Sequence, residues 1–201
     1  RWHVIGWWRR QRWRRRFRRL VMTERESMWP WLLRLWRHLW QSERAAWHAV
    51  PDNMAKGLTA RVRASERRHA GQVMVCIEGA LPLSYAWRAG RQTPLSAVMR
   101  QRAMAWFGRL RVWDTEHNNG VLIYLLLAER RIEIVADRGL MRHTSEAHWQ
   151  AVLQALRHPL QQGDFESGLT QALEAVSALL VAHFPLTDSR PNELPDLIVR
   201  A

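Results

Sequence analysis

A chain of 201 residues, 47% of them hydrophobic, is long enough for one domain with a real core and a small appendage, and too short for two full domains. Its 31 Lys+Arg against 18 Asp+Glu give +13, yet residues 1–20 hold nine arginines and no acid, so 13 − 9 leaves +4 for residues 21–201. That near balance makes nucleic acid an unexpected partner for the body of the chain, and the single cysteine, Cys76, excludes an internal disulfide framework and a multi-cysteine metal site.

Residues 1–21 read as a basic Arg/Trp-rich extension, with a start expected at Met22 or Met28. They supply the basic part of a signal peptide but no apolar stretch, and nowhere do about 18 apolar residues run together. A cytoplasmic protein is expected, at most peripheral to the inner membrane. Residues 22–50 read as an amphipathic helix, in which Trp29, Trp31, Trp36, Trp40 and Trp47 mix with leucines and Trp36, Leu39 and Trp40 share helical spacing. Exposed, Trp29, Trp36 and Trp40 beside Arg34, Arg37 and Arg44 suit an anionic membrane surface or a protein partner.

A globular unit is expected over residues 51–184. Pro51-Asp52 opens a helix with Met54, Leu58 and Val62 at four-residue intervals, running to His69 and stopped by Gly71. Five consecutive apolar residues, 73–77, predict a strand buried on both faces. Gly79 to Arg91 reads as loop, and Thr93-Pro94 opens the next helix, carrying Leu95, Val98, Met99, Trp106 and Leu110 with Arg102 interrupting the stripe. Val121–Ala128 follows Asn118-Asn119-Gly120 and predicts a central strand, with Ile132–Val135 as its antiparallel hairpin partner. Thr144 is the expected cap of a helix with Trp149, Val152, Leu153, Leu156 and Leu160, and Asp164 of a helix with Phe165, Leu169, Leu173, Val176 and Leu180. The tail, 185–201, reads as extended and loosely packed. The fold class is α/β (α+β): a mixed sheet of three to four strands flanked by helices, with the amphipathic helix in front.

Asp114, Glu116 and Asn118 stand at alternate positions of one tight loop, a spacing with which oxygen ligands wrap a hard cation. The glycine comes one place late for an EF-hand and Leu125 stands where its bidentate glutamate would be, so a polar turn capping the strand is the competing reading. Asp137, ending the third strand, is the expected fourth ligand, and two carboxylates there would suit Mg²⁺-assisted phosphate-ester hydrolysis. A phosphatase needs a nucleophile as well. Cys76 lacks the glycine-rich loop and following arginine of cysteine phosphatases, and no Walker loop or nucleophile elbow is present.

Glu66 with Gly71, Trp113-Asp114, Asn118-Asn119-Gly120-Val121-Leu122, Glu129-Arg130, Gly139-Leu140, Gly163-Asp164-Phe165 and Gly168-Leu169 occur in an order and spacing that resembles the TPM domain family over roughly Pro51 to Phe184. Members are found in bacterial membranes, plant thylakoids and animal receptor-associated proteins and are often labelled phosphatases. The resemblance implies divalent cations, Ca²⁺ or Mg²⁺, bound in loops at the sheet edge. Many relatives carry a signal peptide and a C-terminal membrane span with a Gly-rich tail, so the chain looks like the shorter bacterial branch. The functional expectation is an accessory or interaction domain, metal-binding and peripherally membrane-associated, that engages a protein partner. The contrasting expectation is a divalent-metal-dependent phosphatase using Asp114, Glu116 and Asp137.

Overall fold

The structure, a computed structural model, describes residues 44–89, 93–186 and 198–201, together with Leu32, Leu33, Trp36 and His38. Its centre is a four-stranded sheet in the order β3-β2-β1-β4. β1 (Gln72–Glu78) and β2 (Gly120–Leu126) are buried at every position and pair in parallel from Gln72↔Gly120 to Glu78↔Leu126. β3 (Arg131–Ala136) returns antiparallel to β2, from Leu126↔Arg131 to Val121↔Ala136. The mixed sheet and its hairpin are thus as the hydrophobic runs predict, with Leu127 and Ala128 in the connecting turn rather than in the strand. Of the expected loose tail, residues 187–197 lie outside the described residues, and its end is paired rather than loose: Ile198–Arg200 is β4, parallel to β1, with Ala201 N–H donating to Ile77 O.

Because side chains alternate across a strand, each strand feeds two different cores. Val73, Val75, Ile77, Val121, Ile123, Leu125, Ile132 and Ile134 face one side. Over them lie α2 (Asp52–Glu66), α6 (Glu146–Ala155), α7 (Arg157–Gln162) and α8 (Phe165–His183), the last through Leu169, Leu173, Val176 and Leu180. Met74, Cys76, Leu122, Tyr124, Leu126 and Val135 face the other side, under α3 (Leu83–Arg88) and α4 (Leu95–Arg109). The short α1 (Arg44–Ala49) adds Ala46, and Val50 follows it into the aliphatic core. The core therefore reaches upstream of residue 51. Arg200 closes this corner: its Nη1 donates to Val50 O at 3.1 Å, its Nη2 to Asp52 Oδ1 at 2.8 Å, and its guanidinium lies 3.6 Å from the centre of the Trp47 ring.

Four local expectations are corrected. Residues 79–91 were expected as loop, but Pro82, locked near φ −54° just ahead of the first turn, starts α3. The helix ahead of β1 ends at Glu66, not His69, because Glu66 Oε1 accepts from Val73 N at 2.9 Å and His69 turns inward to Ser65. Ser145, rather than Thr144, caps α6 by accepting from His148 N; Thr144 Oγ1 donates to Leu140 O and accepts from Trp149 Nε1. The helix expected to run through Leu160 breaks at Leu156. Pro159 has no N–H for Ala155 O and its ring crowds that carbonyl.

Of the helix expected in front of the domain, Leu32, Leu33, Trp36 and His38 are helical, while Trp29, Trp40 and residues 1–21 lie outside the described residues. Trp36 is 60% exposed whereas His38 is buried. Leu81 N–H donates to His38 Nδ1 at 3.1 Å, which leaves Nε2 as the protonated nitrogen, donating to Glu129 Oε1 at 3.0 Å. His38 thus packs against the C-terminal end of the sheet while Trp36 stands on the outside. Among the described residues, no helix is long and apolar enough to cross a membrane.

Candidate functional site

The loop between α4 and β2 meets the end of β3 at one edge of the sheet, so the expected residues arrive there by topology. α4 closes with Arg111 at φ 55°, and Asp114 N–H donates back to Arg111 O at 2.9 Å. Thr115 then folds the loop: its carbonyl accepts from Asn118 N and its hydroxyl from Asn119 N. Asn118 takes the left-handed conformation, φ 51°, which asparagine tolerates better than most residues. Gly120 serves close approach instead, since a Cβ there would lie 1.9 Å from Val112 O. The expected turn role of Asn-Gly is thus split between Asn118 and Gly120.

Asp137 caps the four-residue α5 (Arg138–Met141), accepting from Arg138 N at 2.6 Å through Oδ1. It is 7% exposed, and its Oδ2 is buried with no hydrogen-bond partner among the described residues. Gly139 lets α5 touch the loop: its N–H donates to Asn118 O at 2.8 Å, and a Cβ there would lie 2.5 Å from the carbonyl oxygens of His117 and Asn118. Arg138 Nη2 donates to Asn118 Oδ1 at 2.9 Å while its Nε lies 3.8 Å from Asp137 Oδ1. Asn118 and Asp137 are therefore brought together with a guanidinium beside both. Asp114 is exposed and turned to Arg111, at 2.7 Å, and Glu116 is exposed. Among the described residues, no three His, Cys, Asp or Glu side chains form a metal cluster.

The sheet's other end holds chemistry that the hydrophobic pattern conceals. Glu78, 4% exposed at the end of β1, takes hydrogen bonds from Arg102 Nε and Nη2, from Trp106 Nε1 at 3.2 Å and from Tyr124 Oη at 2.5 Å. A buried carboxylate with that many donors is fully compensated. Burial works against the Arg102 charge, but Glu78 outweighs it and holds the guanidinium pKa above its ordinary value. Burial, with the Glu78 charge second, pushes up the pKa of both the Cys76 thiol and the Tyr124 phenol, so neither is a nucleophile at neutral pH. One signal was legible: Arg102 inside an apolar helical stripe calls for a buried acid, and Glu78 is the acid that ends the neighbouring apolar strand.

A solved structure shares the fold. The BA42 protein of the psychrophilic bacterium Bizionia argentinensis, solved by NMR, superposes with a TM-score of 0.63 at 24% identity, over 76% of this chain and 95% of that one. The N-terminal domain of a P. gingivalis protein, also solved by NMR, is similar with a TM-score of 0.47 and 20% identity, over 68% and 82% of the two chains. No curated protein matches the chain. The model of the TPM domain matches residues 50–179, which span the sheet's three long strands, both helical layers and the edge loop, and the chain belongs to the TPM domain family.

Proposed function

We infer that this chain is an accessory domain that works by binding rather than by turnover, engaging a protein partner and taking a divalent cation, Ca²⁺ or Mg²⁺, at the edge formed by the 114–120 loop and Asp137. The observation that carries this reading is Asp137 Oδ2, a desolvated carboxylate oxygen with no partner among the described residues. Leaving such a group unsatisfied costs about 1–3 kcal/mol, and an ion on it would recover that cost. Asn118 Oδ1 is the neighbouring oxygen donor, and Arg138, with 81% of its side chain exposed, is placed to move aside. Asp114 and Glu116 would contribute from the loop's outer side. Such a site supplies charge neutralisation and loop ordering, which is what a recognition surface requires.

Phosphoester hydrolysis would ask for a second carboxylate aimed at the same point as Asp137, and Asp114 is instead turned to Arg111. Titration of the whole chain with CaCl₂ or MgCl₂, followed by amide NMR, tests the reading. The Asn118, Asn119, Gly120 and Gly139 signals should shift saturably, and Asp137→Asn should abolish the shift. Metal-stimulated hydrolysis of a phosphomonoester that is lost on Asp114→Ala would replace the binding role with the enzymatic one.

A further inference from the structure

Residues 79–113 carry six arginines (88, 91, 100, 102, 109 and 111) and no acidic residue. This segment is the whole layer of α3 and α4, so one face of the sheet is covered by a stretch without a single carboxylate. Two of the arginines are neutralised from below by strand residues, Arg102 by Glu78 and Arg100 by Glu133, the latter at 3.0 Å. Arg111 pairs with Asp114. Arg88 and Arg109 form no salt bridge among the described residues and keep their charge at the surface.

These side chains are held in a ladder. Arg88 lies 5.0 Å from the centre of the Tyr85 ring, Arg102 lies 5.4 Å from Tyr85 and 5.2 Å from Trp106, and Arg109 lies 5.0 Å from Trp106. Cation and ring thus alternate across both helices, with the central rung fixed by the Glu78 carboxylate. Around the ladder stand exposed apolar side chains: Leu83 and Trp87 on α3, Met104 on α4, and Trp113 just beyond it, each 47–58% exposed. Arg88 Nη1 donates to Gln101 Oε1, one helical turn from Met104, which ties the α3 and α4 parts of the surface together.

We propose that the outer surface of α3 and α4 docks on an anionic membrane surface, with Arg88 and Arg109 on lipid phosphates and Leu83, Trp87 and Met104 at the boundary of headgroups and chains. The charge is complementary, and among the described residues neither Arg88 nor Arg109 is paired with an acid. Nucleic acid, which also takes arginine with aromatic rings, fits less well. Base stacking needs open ring faces, whereas Tyr85 lies beside two guanidinium groups and Trp106 beside two. The exposed groups that remain include aliphatic ones, which suit lipid. The proposal is argued from residues of α3 and α4 alone, so it stands whether or not the Asp137 edge takes a cation.

The test uses the full chain with an environment-sensitive thiol dye. Cys76 is buried with its thiol pKa raised, so Met104→Cys and, on the opposite helical layer, Glu174→Cys are labelled selectively. Vesicles of phosphatidylcholine with phosphatidylserine should blue-shift the dye at position 104 in a salt-sensitive way. They should leave the dye at 174 unchanged, and pure phosphatidylcholine should move neither. Adding Arg88→Gln and Arg109→Gln should raise the lipid concentration for half-maximal shift by at least about tenfold, at roughly 1 kcal/mol per surface arginine. That loss should appear even where the basic N-terminus still brings the chain to vesicles. An unmoved dye at 104 on vesicle-bound protein, equal shifts at 104 and 174, or a shift indifferent to the two arginines would overturn the proposal. A response at 104 to single-stranded RNA but not to vesicles would overturn it in favour of nucleic acid.

Discussion

The two faces of the sheet are built by different physics. Under α2, α6, α7 and α8 the strands present Val, Ile and Leu, and the helices answer with Leu, Val and Ala, so hydrophobic burial alone suffices. Under α3 and α4 the strands present Met74, Cys76 and Tyr124, and the layer is tied down by the Glu78 carboxylate through Arg102 and Trp106, with Tyr124 bonding the same carboxylate from within the sheet. The outer surfaces differ in the same sense. Residues 138–184 carry three arginines and four acids, whereas residues 79–113 carry six arginines and no acid. An aliphatic layer tolerates any outer charge pattern. The layer anchored by the buried Glu78 draws its counter-charge from its own Arg102, and residues 79–113 contribute no carboxylate to the surface.

The aliphatic side is the more vulnerable to a single buried charge. Leu125 is fully buried there, and Leu125→Asp should destabilise the fold by about 4 kcal/mol or more, because it strands a charge without a partner. An unchanged melting temperature would remove Leu125 from the core. On the other side Glu78→Ala should cost about 3 kcal/mol, since it leaves the Arg102 guanidinium unpaired in a largely buried position. Glu78→Gln combined with Arg102→Met should recover much of that loss, as apolar replacement of a buried pair often does. A double variant no more stable than Glu78→Ala would contradict the assignment of that cost to an uncompensated charge.

The aliphatic side also carries a pH sensor at its rim. His69 is buried, donating from Nδ1 to Gly71 O and accepting at Nε2 from Ser65 Oγ, and burial lowers its pKa from 6.5 to about 4. Between those values the unfolded chain binds more protons than the folded one, so this contribution is present above pH 6.5 and lost as pH falls toward 4. Its full size is on the order of 3 kcal/mol. Burial raises the Glu133 carboxyl pKa on the opposite face, which works the other way and trims the slope. Urea melts from pH 7 to 4.5 should show the loss, and His69→Gln should flatten it; an equal slope in both proteins would assign the loss elsewhere. The smallest effect is expected at Asp114→Ala, about 0.5 kcal/mol or less, because its pair with Arg111 is exposed.

The aliphatic half was the legible half. Its strands are runs of one residue class, and α8 repeats its leucines at helical intervals, so periodicity alone finds them. The polar half was hidden because its logic is pairwise. Arg102 looks like a fault in an apolar stripe until Glu78, twenty-four residues away, is placed beneath it. α3 was missed because six residues hold too little periodicity to be seen between Pro82 and Gly90. β4 is recruited by the edge of β1 rather than by any strong pattern of its own, and it lies beyond a segment with two prolines. At the candidate site, the meeting of Asn118 with Asp137 follows from the antiparallel return of β3, which the hairpin signal implied. The turning of Asp114 to Arg111 depends on the left-handed Arg111, which no motif announces.

Amide hydrogen exchange on Glu78→Gln tests the separation of the two faces most directly, because it reads each layer by itself. The substitution keeps an acceptor and removes the charge that holds Arg102. Protection should fall across α3 and the Arg102–Arg109 half of α4, while α8 and the β1–β2 pairing hold their wild-type rates. A uniform loss in both layers, or no loss in α3 and α4, would contradict an account in which a single buried carboxylate anchors one face and aliphatic packing the other.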